Sequence, residues 1–99
     1  MLWRQGDVYV STVDGIPADA RRLPHCVLAE GEATGHSHRI AEADGADVLE
    51  AGDQRFLHVF VNSVTLVHDE HAPITLPAGY YRFWQQREYT PAGNRLVLD

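Results

Sequence analysis

Six histidines occur in this chain of 99 residues, and four of them stand in two tight groups where the sequence could do chemistry. The first group is Gly35-His36-Ser37-His38-Arg39. In an extended strand successive side chains point to opposite faces, so His36 and His38 share one face while Ser37 and Arg39 share the other. Two imidazoles on one face can act as a general acid/base pair or as metal ligands. The second group, His68-Asp69-Glu70-His71-Ala72-Pro73, sets four consecutive ionisable side chains at a strand end, where a rigid scaffold can aim them at a ligand. A carboxylate next to a histidine can fix its tautomer or raise its pKa. A polar strand face and a solvated turn account for the same residues without any chemistry.

A third segment, Tyr80-Tyr81-Arg82-Phe83-Trp84-Gln85-Gln86-Arg87-Glu88-Tyr89, mixes aromatics with cations. Alternation places Arg82, Trp84, Gln86 and Glu88 on one face and Tyr81, Phe83, Gln85, Arg87 and Tyr89 on the other. One face belongs in a core. The other can offer an arginine to an anion and a ring to a base. Arg82, Arg87 and Arg39 are the candidate phosphate contacts. His58, between Phe56 and Phe60 on one strand face, reads as a packed histidine, and Cys26 as a small buried hydrophobe. No Gly-x-Ser-x-Gly, phosphate-binding Gly-Lys loop or Cys-x-x-Cys pair occurs, so the chemistries those motifs carry have no support.

The elements that must hold these residues are short strands. Turn residues recur every eight to twelve positions, and no segment keeps a helical period. Strands are predicted at Asp7–Val13, Cys26–Glu30, His36–Ile40, Val48–Ala51, Arg55–Val61, Val64–His68, Tyr80–Tyr89 and Arg95–Leu98. Gly31 and Gly35 bracket a bend, and Pro17–Leu23 has room for one helical turn. Ala43–Ala46, Gly52-Asp53, Asn62-Ser63 and Pro77-Ala78-Gly79 read as turns. The expected fold is all-β, a single small antiparallel barrel or sandwich spanning residues 1–99. Small open β-folds leave strand edges, which points to a homodimer.

Composition narrows the class. Hydrophobic residues make up 44% and charged residues 22%, as in ordinary globular domains. A formal net charge of −6 argues against a broad DNA-binding surface and leaves room for a local anion pocket. All eight basic residues are arginine, whose forked guanidinium suits phosphate and carboxylate. No apolar run is long enough to span a bilayer, no secretory signal opens the chain, and a single cysteine fits a reducing cytoplasm.

Two resemblances follow from the motifs. His36-x-His38 with Glu42 resembles the first metal motif of cupins, and Pro77-Ala78-Gly79-Tyr80-Tyr81-Arg82 resembles their second. Arg82 stands where that second motif has a histidine, and the spacing about Gly35 and Glu42 departs from the pattern. This resemblance implies a divalent metal such as Zn or Mn on His36, His38 and Glu42, completed by His68 or His71. The phrases Leu28–His38, His68–Gly79 and Gln86-Arg87-Glu88-Tyr89 look like a family of small phage and bacterial proteins, similar in turn to small ring nucleases that degrade cyclic oligoadenylate in CRISPR defence. That resemblance implies a metal-independent phosphodiesterase acting on cyclic oligoadenylate or a related small RNA. Its catalytic residues are drawn from His36, His38, His68 and His71, with no cofactor. A metal-binding domain and a non-catalytic nucleotide-binding or phage structural module stand as the alternatives.

Overall fold

The computed structural model describes the backbone of residues 1–30, 36–90 and 93–96, with side chains through residue 86. The expected bend at Gly31 and Gly35, the side chain of Arg87 and the end of the last strand at Leu98 lie outside the described residues. Strands run at Leu2–Gln5 (β1), Val8–Val13 (β2), Arg21–Arg22 (β3), Val27–Glu30 (β4), Ser37–Ile40 (β5), Ala46–Ala51 (β6), Gln54–His68 (β7), His71–Gln85 (β8), Arg87–Thr90 (β9) and Gly93–Leu96 (β10). All strand pairs are antiparallel, in the order β1-β2-β8-β7-β5-β4. β6 pairs with the first half of β7 and carries β3 at its other edge. The sheet curls into a half-barrel, while β9 and β10 form a ribbon of their own. The all-β expectation holds, and the barrel form prevails over the sandwich.

Two tight hairpins share one chemistry. Gly6-Asp7 joins β1 to β2 and Gly52-Asp53 joins β6 to β7. Each glycine has positive φ, 58° and 62°, and no other residue type does among the described residues. Glycine first and an ordinary φ second is the type II′ pattern, whose twist matches the flanking strands. The third hairpin, Asp69-Glu70 between β7 and β8, has no glycine and no positive φ, so it lacks that match.

The largest departure from expectation is in β7 and β8. Asn62-Ser63 and Pro77-Ala78-Gly79 are not turns; each lies inside a continuous strand of 15 residues. Val59 pairs with Gly79 and Ser63 with Pro77, so Phe60, Val61 and Asn62 stand opposite Ala78 alone. The turn-forming residues face each other across the ribbon and build a bulge, which bends the pair without ending it. The Tyr81 hydroxyl donates to the Pro77 carbonyl and secures the bend from inside. Burial pushes the Tyr81 pKa up, which keeps the hydroxyl a donor.

Smaller corrections have local causes. Ala43–Gly45 is a 3₁₀ turn, and the strand after it pairs with β7, not with β5. Pro17–Ala20 closes a single turn by Ala20 N to Pro17 O at 3.0 Å, and the chain then enters β3 where a helical turn had room. β1, too short to show alternation, is absent from the sequence reading. The last long strand stops at Gln85, because Gln86 N turns to the Asp7 carbonyl at 2.8 Å.

The concave face is lined by Val8, Val10, Leu57, Val59, Val64, Leu66, Leu76, Tyr81 and Phe83, all 3% exposed or less. On the convex face Arg4 lies over Tyr9, Tyr9 stacks on Trp84, and Arg82 lies over Trp84. His58 is half-buried there and stacks on Tyr80 at 4.7 Å. No helix among the described residues is long and apolar enough to cross a membrane.

Tyr81→Phe tests the bend. It deletes one hydroxyl and leaves the Pro77 carbonyl short of a donor, so urea unfolding should show a loss of about 1 kcal/mol.

Candidate functional site

At one end of the half-barrel the apolar lining gives way to a polar layer. Across β5, β7 and β8, His38 lies beside His68, which pairs in register with His71. Ring centroids are 4.3 Å apart for His38 and His68, 4.7 Å for His68 and His71, and 5.8 Å for His38 and His71. His36, one residue before β5, meets the His68 ring edge-on at 5.6 Å. Alternation thus puts His36 and His38 on one face, and both histidine groups meet within a single chain.

The cluster begins with a fault in strand pairing. Leu66 pairs with Ile74 and His68 with His71, so Val67 faces both Ala72 and Pro73. This slip lies next to the hairpin loop and close to the carbonyls of Leu66 and Ala72. The Gln5 side chain takes both: its Nε2 donates to Leu66 O at 3.0 Å and to Ala72 O at 2.9 Å. With the amide nitrogen so committed, Oε1 is the atom that faces His38 Nδ1 at 2.9 Å. An amide oxygen only accepts, so His38 carries a proton on Nδ1 and donates it to Gln5. His38 Nε2 then faces Asp7 Oδ1 at 3.4 Å, and Asp7 Oδ2 accepts from Gln85 Nε2 at 2.7 Å. Gln5, Asp7 and His38 are all buried, so each polar atom in this chain of contacts is costly to leave unmatched.

Glu70 sets the other two rings. Its backbone N–H donates to His68 Nδ1 at 3.0 Å, which directs the proton of a neutral His68 to Nε2. Its carboxylate Oε1 lies 3.1 Å from His36 Nδ1, and a carboxylate accepts, so His36 holds its proton on Nδ1. The lone pair of a neutral His36 is therefore on Nε2, with Asp69 Oδ2 3.7 Å away. One residue thus orders two neighbouring imidazoles in opposite senses, one presenting a lone pair and the other an N–H. His36 is partly exposed, with 29% of its side-chain surface accessible, so a ligand can reach it.

The arginines and Glu42 divide differently. Arg39 stands at the rim, 3.5 Å from Asp69 Oδ1, and thereby adjoins the cluster. Arg82 is on the convex face over Trp84, on the other side of the sheet from the core residues Tyr81 and Phe83, and is not brought to the histidines. Glu42 is taken up by Thr65: Oε1 accepts the backbone N–H at 2.7 Å and Oε2 the hydroxyl at 2.8 Å. Those bonds, the backbone one first, hold its pKa below the usual carboxylate range. Among the described residues no three His, Cys, Asp or Glu side chains are disposed to hold a metal ion, so the set His36, His38 and Glu42 is not assembled. The Cys26 thiol lies 3.4 Å from the Ala46 carbonyl, and burial, then the Asp47 charge, raises its pKa. It is a packed thiol.

Sequence reasoning missed Gln5, Asp7 and Gln85. A glutamine before Gly-Asp gives no chemical signal, and only the tertiary contact with β5 reveals it. Glu70 sat inside the motif already singled out.

A model of one family matches residues 4–86, which takes in every described member of the cluster. The chain belongs to the family described as a domain of unknown function, DUF8820. No curated protein and no solved structure matches it.

Two measurements check the site. Gln5→Leu strands two carbonyls and the His38 N–H, so it should cost about 2 kcal/mol or more. Side-chain nitrogen NMR should show a proton held on His38 Nδ1 in the wild type and only partly so in the variant. Glu42 supplies a second check, since its folded-state pKa is depressed. Its contribution to stability is full above the ordinary carboxylate pKa and lost as pH falls through the lower folded value. Urea midpoints should therefore fall more steeply below about pH 4.5 in the wild type than in Glu42→Ala.

Proposed function

We propose that this protein is a histidine-dependent, metal-independent phosphodiesterase that cleaves cyclic oligoadenylate or a related small RNA. What carries the reading is Glu70, whose carboxylate holds the Nδ1 proton of the partly exposed His36 and so leaves the Nε2 lone pair of the neutral ring as a proton acceptor. RNA brings its own nucleophile. The 2′-oxygen attacks phosphorus as His36 Nε2 takes its proton. The bond from phosphorus to the 5′-oxygen breaks as that oxygen takes a proton from water at the exposed rim, leaving a 2′,3′-cyclic phosphate and a 5′-hydroxyl, and the hydroxide so formed is neutralised by the proton that His36 took up. His68 packs edge-on against the His36 ring and, with its Nδ1 held by the Glu70 N–H, keeps that ring in place. His38 orients the buried side of the cluster, His71 closes it beside His68, and Arg39 at the rim is placed to meet the phosphate.

The same reading includes a homodimer in the cytoplasm. Among the described residues β1 and β4 each pair with one neighbour only in the curled sheet, and edges of that kind are commonly covered by a second copy. Two-fold symmetry also suits a cyclic ligand.

The test is cleavage of cyclic oligoadenylates and short linear RNA by untagged protein in excess EDTA. Turnover should survive EDTA, fall by about 10²–10⁴ in His36→Ala, and fall less in His68→Ala. Turnover that needs added Mn or Zn reassigns the histidines as ligands. Binding without cleavage makes the protein a nucleotide-binding module.

A further inference from the structure

On the Gln85 side of the buried Asp7–His38 pair the half-barrel stays open, and a cavity of about 310 Å³ lies between β4, the start of β7 and the end of β8. Its lining is Leu28, Asp53, Arg55, Phe83, Trp84 and Gln85. Register explains the grouping. Arg55 pairs directly with Phe83, so the two share a face of the sheet, and Gln85 lies two residues further along that face. Leu28 and Phe83 are buried at 3% exposure each and make an apolar floor. Arg55 rises beside it, half exposed, with the Glu50 carboxylate 3.9 Å from Nε as its one carboxylate contact among the described residues. Asp53, exposed in the Gly52-Asp53 loop, supplies an acceptor on the same rim. Gln85 forms the wall toward the histidines, since its Nε2 donates to Asp7 Oδ2 at 2.7 Å and Asp7 Oδ1 faces His38 Nε2.

We propose that this cavity binds a nucleotide, with the ring over Leu28 and Phe83, the phosphate on Arg55, and hydroxyl or amino donors directed to Asp53. A flat apolar floor, one weakly engaged guanidinium and one exposed carboxylate select a ligand that combines a ring, an anion and hydrogen-bond donors. A nucleoside monophosphate has all three, and the volume falls at the lower end of small-ligand pockets, roughly 300–1,000 Å³. A carboxylate alone on this rim would repel an anion, so the phosphate must sit at the arginine and the sugar or base at Asp53. The choice of nucleotide rests on the proposed phosphodiesterase reading, and the cavity extends that reading by giving a residue of an oligoadenylate substrate its seat. Occupancy would press on Gln85 and, through Asp7, on His38.

The experiment is titration of the full chain with adenosine 5′-monophosphate and with adenosine, followed by calorimetry and by backbone amide shifts. The monophosphate should bind and shift the amides of residues 53–55 and 83–85. Arg55→Ala should weaken it about tenfold or more, Arg55→Lys should recover part of the loss, and adenosine should bind weakly and equally to all three proteins. His71→Ala should bind the monophosphate within about twofold of the wild type. Arg55 is half exposed, so these variants fold. Equal affinity in Arg55→Ala, shifts confined to another surface, or no binding at millimolar ligand would overturn the proposal. Loss of RNA cleavage with monophosphate binding intact would overturn the phosphodiesterase reading and leave this site standing.

Discussion

The polar end of this half-barrel depends on one amide. Gln5 takes two carbonyls beside the slip in the β7–β8 ladder, and in doing so it fixes which of its own atoms meets His38. A pairing fault, which on its own would cost stability, becomes the device that sets a buried imidazole's tautomer. The N-terminal hairpin is therefore structural in a specific way: its last strand residue and its loop residue, Gln5 and Asp7, supply the partners of His38 on both ring nitrogens.

The two irregularities along β7 and β8 have different tasks. The bulge at Phe60–Asn62 bends the ribbon so that its halves can serve β6 on one side and β5 on the other. The slip at Val67 lies beside the hairpin that carries Asp69 and Glu70, and it places their polar groups against His36 and His68. Bend and slip together bring residues from four strands to one end while the apolar lining stays continuous behind them. Without the bend β5 has no edge of β7 to join, and His38 has no route to His68.

What could be read from the sequence was what local alternation controls. Tyr81 and Phe83 fell together on one face of their strand, His36 and His38 on one face of theirs, and the two histidine groups were paired by chemistry before any fold was available. The misreadings share one cause. Asn62-Ser63 and Pro77-Gly79 have turn composition, and composition does not say whether such residues end a strand or bend it; only their meeting across the ladder decides that. Glu42 and Arg82 were drawn toward the site by motif spacing, but Thr65 and Trp84 lie closer and take them. Gln5, Asp7 and Gln85 carry no local signature at all, because their roles arise from contacts with residues dozens of positions away.

The members of the polar end are scattered along nearly the whole described chain, from residue 5 to residue 85, and no two neighbouring elements suffice to form it. Within the chain the first hairpin is made before the last long strand, on which the Ala72 carbonyl and Gln85 meet its glutamine and aspartate. A chain cut between residues 71 and 85 thus carries every histidine without the contact that closes their buried side.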